Sequence, residues 1–332
     1  MSARRYLVTG GSGFLGAALV RRLVSDGARV RVLDNHWRGH PRRLVDVADR
    51  IEMVTGDIRD PDVTARACEG VDCVAHLSAI NGTRHFYEEP ELVIDVAIRG
   101  MLNVIDGCRR HGVTELVVAS SSEAYQSPDV IPTPENVPLV VPDVLNPRYS
   151  YGGSKIAAEL IAINYGRTGF DRVVVFRPHN VYGPDMGFEH VIPEITVRAA
   201  AAVDADGGAS TIRFPIKGDG RQTRAFIHID DFTDGLVRVV ENGQHLNVYH
   251  IGNPEEVTVA ELARLIFKEF GREPAFDHEP APAGETRRRC PDITKVRALG
   301  FAPKTLLAEG LPAVVEWYRA HRDLAEAARQ RG

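Results

Sequence analysis

The sequence predicts an α/β protein built on a doubly wound parallel sheet, with a smaller mixed α/β substrate domain toward the C-terminus. From Tyr6 to about Val181, short runs rich in β-branched residues alternate with longer helical patterns, the order expected of parallel βαβ units. The short runs are almost continuously apolar, as strands covered on both faces must be. Beyond Tyr182 that rhythm breaks at Pro184, Pro193 and Pro215 and in the Gly/Asp/Ala-rich stretch 204–210.

In order along the chain, the expected strands are 6–9, 29–33, 51–55, 73–77, 115–120 and 172–177. The expected helices are 14–26, 61–68, 90–111 and 150–167, with a later one at 259–270. The segment 127–146 holds five prolines and is expected to be an ordered loop over a site. We assign 1–181, with about 223–252, to a cofactor-binding domain and the remainder of 182–332 mainly to the substrate domain.

Composition narrows the function. The chain has 332 residues, 44% hydrophobic and 26% charged, with a formal net charge of -5. Arg287, Arg288 and Arg289 form its only dense basic cluster, too little for a nucleic-acid groove. Cys68, Cys73, Cys108 and Cys290 lack metal-ligand spacing and read as buried reduced thiols, so neither zinc nor a disulfide framework is expected. No stretch reaches the ~18 apolar residues of a membrane span, and no signal-peptide pattern opens the chain. A cytoplasmic protein that binds neither membrane nor nucleic acid is the expectation.

Thr9-Gly10-Gly11-Ser12-Gly13-Phe14-Leu15-Gly16 joins the first strand to the first helix, where a dinucleotide fingerprint belongs. Glycines there permit a tight turn and a close approach of backbone to pyrophosphate, which then meets the positive end of the helix. The second strand ends at Asp34, whose carboxylate suits the hydroxyls of an adenosine ribose and repels a 2'-phosphate. This makes the fold Rossmann-type and favours NAD over NADP, with Arg38 and Arg42 leaving room for the latter. Asp57-Ile58 is placed to meet adenine or to cap the helix at Asp60-Pro61.

Tyr151 and Lys155, four residues apart at a helix start, share one face. An ammonium nearby stabilises phenolate, so Lys155 is expected to lower the pKa of Tyr151 and make it a general base.

Several segments together resemble the nucleotide-sugar epimerase, dehydratase and decarboxylase branch of the extended short-chain dehydrogenase/reductase family. These are Thr9 to Gly16, Asp57-Ile58, His76-Leu77-Ser78-Ala79, Ser120 to Tyr125, Tyr151 to Lys155 and Arg177 to Pro184. The resemblance implies cofactor contacts at Gly10, Gly13, Phe14, Leu15, Gly16, Asp34, Asn35, Asp57, Ile58, Leu77, Ser78, Ala79, Tyr151, Lys155 and Pro178. It implies that Ser121 hydrogen-bonds a sugar C4 hydroxyl, that Tyr151 takes its proton, and that Lys155 holds the cofactor ribose while hydride leaves C4. It further implies substrate contacts at Ser122, Glu123, Asn180, Val191, Arg224 and Arg289, the arginines suiting phosphate. Phe188, Glu189 and His190 are candidates for the base pocket. Where the family usually has Asn, this chain has Ala97.

A 4-keto sugar can be re-reduced on its other face, dehydrated, or decarboxylated if C6 is a carboxylate. Ser122-Glu123 keeps one carboxylate where hexose 4,6-dehydratases often carry Asp-Glu, so Glu123 is a catalytic candidate and the outcome stays open. Arg84, in the loop after the fourth strand, suits a sugar carboxylate. The expectation is a 4-epimerase, with dehydratase and decarboxylase as alternatives and an NAD(P)-sensing binding protein as the non-enzyme one. Leu92, Val96, Leu160 and Ile163 are expected to lie on a face that pairs two copies through a four-helix bundle.

Overall fold

The computed structural model describes residues 3–280 and 286–324. Its centre is a seven-stranded, all-parallel sheet in the order β11-β6-β5-β4-β1-β2-β3. The strands are β1 (Arg5–Thr9), β2 (Arg29–Asp34), β3 (Ile51–Thr55), β4 (Cys73–His76), β5 (Glu115–Ala119), β6 (Arg172–Pro178) and β11 (Asn247–Ile251). The order reverses between β1 and β4, and ligand clefts of doubly wound sheets open beyond the strand C-termini at such a reversal.

Alternation along the strands explains the two layers. Tyr6 and Val8 face one apolar core with Val32, Ala75 and Phe176, while Leu7 faces a second with Leu33, Val74 and Val175. The first core is covered by α1 (Phe14–Ser25) and α7 (Ile229–Asn242), the second by α2 (Pro61–Cys68), α4 (Pro90–His111) and α5 (Ser150–Tyr165). Burying each large side chain contributes about 1.5–3 kcal/mol. A third core lies among α6 (Val191–Ala205), α8 (Val259–Lys268) and α10 (Leu307–Ala320). The shorter elements are α3 (Thr83–Glu88), α9 (Thr294–Ala298), β7 (Val181–Tyr182), β8 (Thr211–Lys217), β9 (Thr223–Ala225), β10 (Ile227–His228), β12 (Glu256–Thr258), β13 (Glu273–Glu279) and β14 (Arg288–Arg289).

The six expected strands are all present, each within a residue of its expected ends, and α2 and α4 match theirs. A seventh strand, β11, was not foreseen as such, nor was the 3₁₀ stretch Pro41–Arg50. The later helix begins at Val259 as expected, behind a capping box of Thr258 and Glu261 that satisfies its first N–H groups. The proline-rich loop 127–146 contains no helix or strand, and Thr133 stitches it to the chain after β14. Thr133 donates its N–H to Cys290 O at 2.8 Å, and its carbonyl accepts from Asp292 N at 2.8 Å.

On α4 and α5 the residues of the expected pairing face are divided between the chain's own core and solvent. Val96 is buried, and Leu92 and Ile163 pack on the chain's own second core; of the four named residues only Leu160 is exposed. The four cysteines are free and buried. Among the described residues, no helix is long and apolar enough to cross a membrane and no cluster is composed to hold a metal.

Candidate active site

At the turn after β1, Gly10 adopts φ +69°, and a Cβ there would lie 2.9 Å from the Ser78 backbone. A Cβ on Gly16 would stand 2.1 Å from the Gly10 carbonyl oxygen, so only glycine lets α1 start this close to its strand. Gly13 is the α1 N-cap and offers no side chain, which leaves the first-turn N–H groups to an anion. These features fit a dinucleotide diphosphate. Leu77 and Ser78 close the other wall, their N–H groups donating to Thr9 O at 3.1 Å and Thr9 Oγ1 at 3.4 Å. Ala79 and Ile80 continue from them, while Pro178 closes the C-terminal end of β6.

Asp34 stands at the end of β2, nearly buried, and accepts N–H bonds from Ser12 at 3.0 Å and His36 at 2.8 Å. Its carboxylate is thereby aimed before any ligand arrives. Asn35 donates to Asp57 at 3.1 Å, and Asp57 also binds Arg59, which holds its carboxyl below the usual range. Asp57 is therefore a tie between the ends of β2 and β3; the cap of α2 is Asp60. Ile58 is buried, and a Cβ on Gly100 would lie 2.3 Å from its Cδ1.

Phe14 and Leu15 open α1. Both pack against the first core, and Phe14 reaches the third as well, because on a helix the side chains at these positions turn into the protein. Arg38 and Arg42, which left NADP open, turn away to Glu189 and Asp185 respectively.

Across the cleft, Ser121 follows β5; its hydroxyl accepts from Glu123 N at 3.1 Å and acts on the Tyr151 phenol to lower its pKa. Tyr151 stacks on Phe86 with ring centroids 5.0 Å apart. Lys155 donates to Ala119 O at 2.8 Å, and its Nζ lies 5.8 Å from the Tyr151 ring centre. Burial pushes Tyr151 up to about 12 and Lys155 down to about 8. The expectation that Lys155 lowers Tyr151 is thus not met in this arrangement. The ammonium turns to a carbonyl, and the groups that do pull the phenol down are Ser121 and Arg38.

Glu123 forms an ion pair with Arg289, which is itself almost buried. Burial opposes the charge, but Arg289, Arg148 and Arg224 together hold the Glu123 carboxyl below its usual range. Parallel pairing of β14 with β9 sets Arg289 beside Arg224. Ser122 is buried next to Glu123. Asn180, at φ 41°, spends one N–H on Ala225 O at 2.9 Å, and Val191 opens α6 after the N-cap His190. Phe188, one of the base-pocket candidates, is partly buried against the third core. Its ring packs against Trp317 and Tyr318 in the third core, with centroids 6.4 and 5.4 Å away.

Two groups escaped the sequence reading. Arg148 acts electrostatically on Glu123, and its place in Asn146-Pro147-Arg148-Tyr149 next to Tyr151 was the available signal. The other is a buried relay: Ser120 donates to Glu159, Glu159 pairs with Arg177 at 2.6 Å, and Arg177 donates to the Tyr125 hydroxyl, which meets His250 Nε2 at 2.6 Å. It braces both ends of the segment that carries Ser121 and Glu123.

Residues 6–252 match the NAD dependent epimerase/dehydratase family. The chain belongs to that family. It is 32% identical over 321 residues to UDP-glucuronic acid decarboxylase 1 of Arabidopsis thaliana, covering 95% of this chain and 70% of that protein. A double mutant of the dTDP-glucose 4,6-dehydratase of Streptomyces venezuelae, solved with NAD, superposes at a TM-score of 0.84 with 31% identity, covering 96% of this chain and 98% of that one. The UDP-glucose 4-epimerase of Thermotoga maritima, solved with UDP-glucose, superposes at 0.83 with 28% identity, covering 95% and 99%. The family is that of NAD-dependent enzymes on nucleotide sugars, and the glycine turn, the α1 N-terminus and Asp34 fit that cofactor.

Proposed function

We propose that the chain is a nucleotide-sugar 4-epimerase that works through a 4-keto sugar. The observation that carries this reading is the pairing of Glu123 with Arg289. Elimination of water across C5 and C6 needs both a base and an acid, but Glu123 is held ionised by three arginines, and its neighbour Ser122 is no carboxylic acid. Epimerisation needs no second proton-transfer group besides the Ser121, Tyr151 and Lys155 set.

NAD supplies the hydride acceptor and donor for C4. Ser121 orients the C4 hydroxyl, and the phenolate form of Tyr151, which Ser121 and Arg38 favour against the effect of burial, accepts its proton and later returns one to the C4 oxygen. Lys155 carries positive charge behind them and, in this reading, holds the nicotinamide ribose. Asn180, Val191, Arg224 and Arg289 form the diphosphate side, with 1–181 and about 223–252 serving the cofactor and the rest of 182–332 the substrate.

Decarboxylation of a nucleotide-linked uronic acid is the second reading. It is favoured by the 32% identity to a UDP-glucuronic acid decarboxylase and by the arginines around Glu123. A 4-keto uronic acid is a β-keto acid, and loss of its carboxylate needs no leaving-group acid.

Assembly through α4 and α5 into a homodimer belongs to the same proposal, with exposed Ile94 and Leu160 as the paired apolar positions. Four free thiols suit a reducing cytoplasm. The reading is tested by incubating the NAD-loaded protein with UDP-, GDP-, CDP-, ADP- and dTDP-sugars and following mass and NMR. An unchanged mass with an inverted C4 supports it, and loss of water or of carbon dioxide refutes it.

A further inference from the structure

Three loops at the C-terminal edge of the sheet meet on one carboxylate. Glu189, just before α6, accepts from Arg38 Nη1 at 2.6 Å, and Arg38 comes from the loop after β2. From α3, in the loop after β4, Arg84 Nε lies 3.8 Å from Glu189 and His85 Nε2 lies 3.7 Å from it. The backbone has been shaped for this carboxylate. Gly82 has φ +126°, and a Cβ there would stand 2.0 Å from Glu189 Oε2. Yet the cradle is imperfectly filled. Arg84 Nε is buried without a hydrogen-bond partner among the described residues, and its distances of 3.7 Å to Glu88 and 3.8 Å to Glu189 are too long for a hydrogen bond. His85 turns its other nitrogen outward to Glu89 at 2.8 Å.

The cradle is attached to the reacting centre. Phe86, two residues from Arg84, stacks on Tyr151; Ser150, next to Tyr151, donates to Phe86 O at 3.4 Å; and the charge of Arg38 lowers the Tyr151 pKa. Arg38 in turn holds Glu189 below its ordinary range against the opposing effect of burial. A pre-formed pair of guanidinium groups, one acting on the phenol and the other two residues from the ring stacked on it, both facing a side chain from a loop, is what a site for an anionic substituent requires.

We propose that Arg38 and Arg84 form a subsite for a carboxylate on the sugar ring, and that Glu189 occupies it with its own carboxylate until substrate displaces it. The inference rests on the substrate being a nucleotide sugar and assigns it to the uronic acids. It concerns binding, so it holds whichever reaction follows oxidation at C4. Removing the internal carboxylate strengthens binding, and removing the unpaired donor weakens it, in each case for the uronic acid more than for the neutral sugar.

The test is calorimetric, on the NAD-loaded protein. The base is chosen as that of the tightest-binding nucleoside diphosphate among UDP, GDP, CDP, ADP and dTDP; the glucuronic acid and glucose derivatives of that nucleotide are then compared. The expected result is at least tenfold tighter binding of the glucuronic acid form, a ratio that falls toward one in Arg84→Met and rises severalfold in Glu189→Gln. Equal binding of the two sugars by the unaltered protein, or a ratio unmoved by both variants, overturns the subsite. Tight uronate binding with loss of carbon dioxide would sink the epimerase reading and leave the subsite standing. Inversion of the neutral sugar with no uronate preference would do the reverse.

Discussion

The cofactor edge and the arginine-lined face opposite it are held by different physics. On the cofactor edge, Gly10 and Gly16 work through what they lack, since a methyl group would meet backbone at 2.9 and 2.1 Å. On the opposite face, position depends on charges brought together from far apart. Arg289 meets Glu123 across 166 positions, and Arg38 meets Glu189 across 151. A steric site tolerates no addition; an electrostatic one tolerates no subtraction. The second kind can also be rearranged by an incoming charge, which suits a pocket that must admit a sugar.

The largest effect expected is at the junction of the two. Tyr151→Phe removes the proton acceptor while keeping the ring stacked on Phe86, and turnover should fall roughly 10²–10⁴-fold with NAD still bound; undiminished turnover would break the comparison at its centre. Next comes the buried relay beneath the charged face. Glu159→Gln leaves Arg177 buried without its counter-charge and should cost about 3–5 kcal/mol in denaturant unfolding.

Smaller is the steric counterpart. Gly16→Ala should cost about 1–3 kcal/mol and release NAD on gel filtration, because the added methyl must displace the Gly10 carbonyl. If stability and NAD retention were both normal, the cofactor edge would not be steric at all.

Smallest near neutral pH is a titration. Burial pushes His76 and His250 down to about 3, so the folded state binds fewer protons than the unfolded one between pH 6.5 and 3. Their contribution is complete above about pH 6.5 and is lost as pH falls toward 3. The Tm should hardly change from pH 8 to 7 and should drop progressively below 6, more shallowly in His250→Asn.

The same contrast explains what could be read from the chain. Thr9 to Gly16, Asp34 and the Tyr151/Lys155 spacing are local patterns, and local patterns carry their geometry with them; the parallel strands followed from near-continuous apolar runs. Side-chain direction was harder. Phe14 and Phe188 are both partly buried against the third core, a direction that the motif around each does not show. The behaviour of Lys155 was misjudged for a similar reason: four residues of spacing put it on the face of Tyr151, but a buried ammonium goes to the nearest carbonyl, here Ala119. The charge pairs of Glu123 and Glu189 leave no periodic trace, since each partner lies in a different loop.

The central claim is that hydride leaves C4 of the sugar and returns to the same carbon on its other face. It is tested most directly with a nucleotide sugar carrying deuterium at C4, incubated with the NAD-loaded protein and analysed by NMR and mass spectrometry. Deuterium kept at C4 with the configuration inverted is the predicted result. Deuterium found at another carbon or lost to solvent, or a product lighter by water or carbon dioxide, would contradict the account.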